Sequence, residues 1–224
     1  MQLTPDEIIY WQQGPIVINA TLAFTWALMI LLVGGSFIIT RKLRKGFNPS
    51  RPQIILETIV DVIRSQIEDV TNQKKAPFLP FVGTLFLFIV ISNVLVVIPG
   101  FQPPTGSLST TAALAICVFF AVPIFGIINR GLKNYLKQYL QPTPFMLPFN
   151  IIGELSRTLA LAVRLFGNVM SGTLIVAIIL SLIPLFFPIV MQMLGLLTGV
   201  IQAYIFSVLA LVYISSGTTD KELE

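Results

Sequence analysis

Arg164 lies inside TLALAVRLFGNVMSGTLIVAIILSLI, an apolar run that carries no other charge. A guanidinium stays protonated at any usable pH, and holding it at bilayer depth costs about 3 kcal/mol or more. From Leu165 to the end of the chain Lys221 is the only other basic residue, and no acidic residue lies between Leu155 and Thr219. Beyond Glu154, ten residues back, its own helix and the next one therefore supply no counter-charge. A fixed cation of this kind can pair with a carboxylate or anion that comes to it, and can repel a free cation. Arg157, Ala160, Arg164, Asn168 and Ser171 recur at steps of three and four, so they share one helix face. Gly167 and Gly172 lie close by, and Thr173 falls on the opposite face. Further on, Gln192, Gly195, Gly199 and Gln202 form a second stripe at steps of three, four and three. Set side by side, the two stripes would let Gln202 hydrogen-bond Arg164. Plain helix packing is the competing reading of Gly195 and Gly199, and an outer-interface position that of Gln192. Arg157 is placed to snorkel or to pair with Glu154 one turn earlier.

These residues need membrane helices to carry them. The 224 residues are 55% hydrophobic and only 11% charged, whereas soluble domains run near 25% charged. The pattern predicts an all-α polytopic membrane protein with about five membrane helices and one amphipathic surface helix. A first span covers 15–40, after an outside segment 1–14 that holds Asp6 and Glu7. The amphipathic helix covers 52–72, with Ile55, Ile59, Val62, Ile63, Ile67 and Val70 on one side and Glu57, Asp61, Arg64, Glu68 and Asp69 among them. Spans follow at 78–98 and 108–128, with PGFQPPTGS as the loop between them. The last two helices, 149–182 and 188–215, are too long for a ~30 Å hydrocarbon core at 1.5 Å per residue. They are expected to form a strongly tilted hairpin. The basic clusters RKLRKG, Lys74 with Lys75, and Arg130, Lys133 and Lys137 all fall on one side, which places the N-terminus outside and the tail 216–224 in the cytoplasm.

Composition also excludes chemistry. There is no histidine and one cysteine, Cys117, so a histidine or cysteine metal site and a disulfide are not expected. No Gly-rich phosphate loop occurs. The net charge of +4 comes from loops and does not describe a nucleic-acid surface. No cofactor is expected.

ELSRTLALAVRLFGN and GVIQAYIFSVLALVYIS carry R-L-F-G-N and Q-A-[YF]-I-F cores, ISNVLVVIPG carries an N-x-x-x-x-x-P element, and PPTGSLSTTAALA is the following loop. In these motifs the chain resembles subunit a of rotary ATP synthases. The wording is closest to the N-type branch. The resemblance implies a non-catalytic stator subunit in a bacterial plasma membrane, facing a rotating c-ring and joined by peripheral-stalk b-type subunits. It implies that Arg164 meets the ring carboxylates, that Asn168 and Gln202 are its polar neighbours, and that Asn93, Ser107, Ser109, Thr173 and Gln192 line aqueous half-channels. Glu154 and Arg157 would support the cytoplasmic side.

The match has a gap. Family members often carry carboxylates or histidine along the outer half-channel, where this chain aligns Val96, Ser107, Thr173 and Gly195. Hydroxyls and amides remain, Thr110 and Thr111 among them. H⁺ moving along waters is the expected coupling ion; Na⁺, which needs oxygen ligands and no titrating relay, is the alternative. Two other readings compete. A secondary transporter holding an anion at Arg164 predicts an inverted repeat; a purely structural subunit predicts tolerance of Arg164→Lys and Arg164→Gln.

Overall fold

A computed structural model describes residues 6, 9–13, 16–41, 51–71, 77–98, 100–133, 135, 145–182 and 187–218. The prolines 142, 144 and 184, the lysines 74, 75 and 137, most of the RKLRKG cluster and the acidic tail lie outside them. Among the described residues there are six long helices: α1 (Ala20–Arg41), α2 (Arg51–Thr71), α3 (Leu79–Val94), α4 (Leu108–Arg130), α5 (Met146–Leu182) and α6 (Phe187–Thr218). All except α2 are long and apolar enough to cross a membrane, α3 together with the short helical turn Leu95–Val97 that continues it. The polytopic helical architecture follows.

The first span begins later than its hydropathy suggests. Residues 16–19 do not join α1. Strand β2 (Ile16–Asn19) pairs antiparallel with β1 (Ile9–Gln13), with Gln12 opposite Val17 and Gln13 opposite Ile16. Both segments are rich in β-branched and aromatic residues, which favour a pleated ribbon; an apolar count cannot separate them from a helix start.

Helix α2 is amphipathic as its pattern requires. Ile67 is buried with Phe78 and Val82, and Ile63 packs beside them. Val62, grouped with the apolar face in sequence, is exposed instead. The end of α2 nearest α3 therefore seats against the bundle.

The bundle has one continuous interior in two regions. Leu28, Leu85, Phe88, Ile89, Val118, Leu161, Leu165 and Phe206 fill the first, drawing on α1, α3, α4, α5 and α6. Ala121, Val122, Leu211 and Ile214 join Ile67 and Phe78 in the second. In lipid such contacts rest on close packing more than on expulsion of water, so small residues sit where helices cross. At the α4–α6 crossing, a Cβ on Gly126 would lie 3.2 Å from the Gly217 carbonyl oxygen and 2.5 Å from the Tyr135 ring.

Helices α5 and α6 have 37 and 32 residues, or ~55 and ~48 Å at 1.5 Å per residue. Each is much longer than a ~30 Å hydrocarbon core, and the two pack against each other. Helix α5 is buried on one side only: Leu161, Ala162 and Leu165 face inward, while Leu155, Leu159, Val163, Ile175 and Ile178 are exposed.

Candidate functional site

The site follows from which side of α5 is covered. With Leu161 and Leu165 in the interior, the 3.6-residue period turns Arg157, Ala160, Arg164 and Ser171 outward, and all four are exposed. Arg164 makes no hydrogen bond or ion pair with the described residues. Gly153 and Gly167, on the same helix, have nothing within 4 Å of where a Cβ would stand. The guanidinium thus projects from an apolar helix face that is left shallow by small residues.

Asn168 turns partly inward, and its Nδ2 donates to the Thr198 carbonyl at 3.3 Å. That bond ties α5 to α6 one turn from Arg164. Ser171 and Thr173 donate back to their own helix, to the carbonyls of Asn168 and Met170, and both are exposed.

The second stripe does not lie beside the first. It faces α3. Gln192 Nε2 donates to the Val96 carbonyl at 3.1 Å. Gly199 abuts Asn93, where an added Cβ would stand 2.9 Å from Asn93 Cβ and Cγ. Asn93 Nδ2 donates both to Ile89 O at 3.0 Å and to Gly199 O at 3.2 Å. Gln202 is 6% exposed, and its Nε2 is buried without a hydrogen-bond partner. The expected Gln202–Arg164 hydrogen bond is therefore absent from this chain's fold. The packing reading holds for Gly199, which touches a neighbour, and not for Gly195, which has open space around it. A stripe read from spacing alone fixes which residues share a face; which helix that face meets depends on the bundle.

Arg157 is oriented across the helix pair. Its guanidinium lies over the Tyr213 ring of α6, 5.6 Å from the centroid, a cation–π contact. Arg157, Glu154, Thr158, Tyr213 and Ser216 line one shallow cleft between α4, α5 and α6. Tyr204, also on α6, donates to Gln66 of α2 at 2.6 Å.

Sequence reasoning left one residue out. Asp6, assigned only to the outside segment, reaches the start of α4. Ser107 Oγ donates to Asp6 Oδ2 at 2.5 Å, and Ser109 Oγ lies 2.6 Å from Ser107 Oγ. Thr21 Oγ1 donates to the other carboxylate oxygen at 2.6 Å. A contact spanning 101 residues leaves no local signal in the sequence.

Fold and site together define a multi-pass membrane protein that presents a fixed cation, without a partner among the described residues, on the open face of an over-long helical hairpin. Comparison with known proteins gives that class its family. The ATP synthase A chain family matches residues 22–215. ATP synthase subunit a 2 of Acaryochloris marina is 62% identical over 218 residues, covering 97% of this chain and 93% of that one. ATP synthase subunit a 1 of Chlorobaculum parvum is 59% identical over 222 residues, 99% and 98% covered, and ATP synthase subunit a of Albidiferax ferrireducens is likewise 59% identical over 222 residues. The chain belongs to the ATP synthase A chain family, and as such is a non-catalytic membrane subunit.

Proposed function

We propose that this chain is the stator of an H⁺-driven rotary motor, and that Arg164 serves as its fixed charge against a ring of carboxylate-bearing c subunits. The observation that carries this reading is the exposure of Arg164 on an apolar face without a partner among the described residues. Such a charge is stable in lipid only if water or a carboxylate from another subunit reaches it. A passing ring carboxylate meets that need in turn. Pairing with Arg164 favours its ionised form, so the arriving carboxylate gives up its ion. The same positive charge opposes direct leakage of a free cation across the contact. A driving force of 150 mV is worth ~3.5 kcal/mol per ion, so several ions per ATP are required.

Support for the stator geometry comes from the hairpin. Two helices of ~55 and ~48 Å exceed what an ordinary tilt of ~20° absorbs, so they lie steeply slanted along a curved partner surface. Asn168, bonded to Thr198, holds the α5–α6 register next to Arg164. Asn93 places an amide between α3 and α6, Gln202 adds a buried one on α6, and Ser107, Ser109, Thr173 and Gln192 supply further polar groups for half-channels. Glu154 and Arg157 belong to the cleft at the opposite end of α5. The b-type stalk subunits would fix the whole assembly. Basic loops place the N-terminal end outside a bacterial plasma membrane and the end of α6 in the cytoplasm.

In membrane vesicles carrying the whole complex, Arg164→Ala should abolish coupled ATP synthesis while the c-ring still co-purifies. Persistence of synthesis in that variant refutes the role. ATP hydrolysis and ion uptake measured with and without Na⁺ decide the ion: H⁺ coupling predicts no Na⁺ requirement.

A further inference from the structure

Asp6 is held by more polar contacts than a terminal segment needs. Both of its carboxylate oxygens accept hydroxyl hydrogen bonds, from Thr21 in the first turn of α1 and from Ser107 at the N-cap of α4. The residue itself is only half-buried. Behind it lie hydroxyls that no solvent reaches: Ser92, Thr105, Ser107 and Thr111 are all 0% exposed. Ser107 Oγ continues to Ser109 Oγ at 2.6 Å, and Ser92 Oγ lies 3.4 Å from Thr105 Oγ1. The turn Pro104–Gly106 that carries Thr105 touches α1, α3, α4 and α5, and so sits at their junction. Next to Ser92, Asn93 reaches the Gly199 carbonyl, one turn before the buried, unpartnered Nε2 of Gln202. Asn19 Oδ1 and Gln102 Oε1 are likewise buried without a partner. An unsatisfied buried polar atom costs about 1–3 kcal/mol, and its occurrence calls for water or an ion at the site.

We propose that Asp6 is the cation-receiving carboxylate at the outer mouth of the ion path, supplying the acid group that the aligned positions 96, 107, 173 and 195 lack. It rests on the stator reading above. An H⁺ arriving from outside binds the Asp6 carboxylate, which becomes a hydroxyl donor. Ser107 then turns its hydrogen toward Ser109, and the proton leaves inward along the hydroxyls and the waters they hold, which restores the carboxylate. Asp6 does not touch the ring; it acts by loading the path.

The test uses intact complexes in vesicles, with passive conduction measured after removal of the soluble sector. Asp6→Asn keeps the shape and an acceptor oxygen and should lower conduction several-fold while the c-ring still co-purifies. Asp6→Glu should restore most of it. In a Cys117→Ala background, Asp6→Cys should conduct poorly, recover when a membrane-impermeant carboxylate-bearing thiol reagent is added from outside, and stay low with a trimethylammonium reagent. Wild-type conduction in Asp6→Asn, equal effects of the two reagents, or loss of ring co-purification in both the Asn and Cys variants overturns the proposal. Arg164→Ala is run in parallel. Coupling that survives there sinks the stator reading; a dead Arg164→Ala beside a normal Asp6→Asn sinks only the role of Asp6.

Discussion

Gly199→Ala is a sharp test of how α3 and α6 fit. The added methyl would stand 2.9 Å from both Cβ and Cγ of Asn93 and 3.3 Å from its Nδ2, far inside the ~3.5–4.0 Å carbon–carbon optimum. Asn93 cannot simply swing away, because its amide is tied to Ile89 O and Gly199 O. Overpacking of this kind costs about 1–3 kcal/mol, and stretching the Asn93–Gly199 bond removes roughly another 1 kcal/mol. Replacing a helical glycine with alanine returns about 1 kcal/mol of propensity. The net expectation is a loss of about 1–3 kcal/mol, or roughly 2–12 °C in Tm at 2–4 °C per kcal/mol for a chain of this size. Thermal unfolding in lipid nanodiscs reads this directly. Moving the gap to the other helix, with Asn93→Gly in the same chain, removes the clash. The pair should then be less destabilised than the sum of the singles by about 1 kcal/mol or more. A Gly199→Ala protein as stable as wild type, or strict additivity in the double variant, refutes the close approach of α3 and α6 at this point.

Two further outcomes separate packing from function on the same helices. Gly167→Leu should leave the Tm of the isolated subunit unchanged, since no atom lies within 4 Å of a Cβ there, yet should cut ATP-driven ion uptake strongly by filling the face beside Arg164. Gln202→Leu removes a buried, unpartnered donor and should hold or raise stability by up to about 1 kcal/mol, while ion uptake falls; a variant that loses stability and keeps full uptake contradicts both halves of that expectation.

Much of this protein is written in periodicity. Low charge and long apolar runs determine that it is polytopic. The steps of three and four determine that Arg157, Ala160, Arg164 and Ser171 share a face. The absence of any acidic residue from Leu155 to Thr219 determines that Arg164 must find its counter-charge elsewhere. These properties follow from the geometry of a single helix and the solvent it sits in, so one chain segment suffices to reveal them. Tertiary structure decided the rest. It turned Gln192 and Gly199 toward α3 and the turn that ends it, buried Gln202 and left Gly195 with open space, because the interior formed by Phe206, Ala203 and Ala210 fixes the rotation of α6. It put Arg157 over Tyr213. It also brought Asp6 to Ser107 across 101 residues, placing a carboxylate beside a position where the sequence offers only a hydroxyl. Such contacts depend on where separate helices end relative to one another, and no spacing within any one of them encodes that.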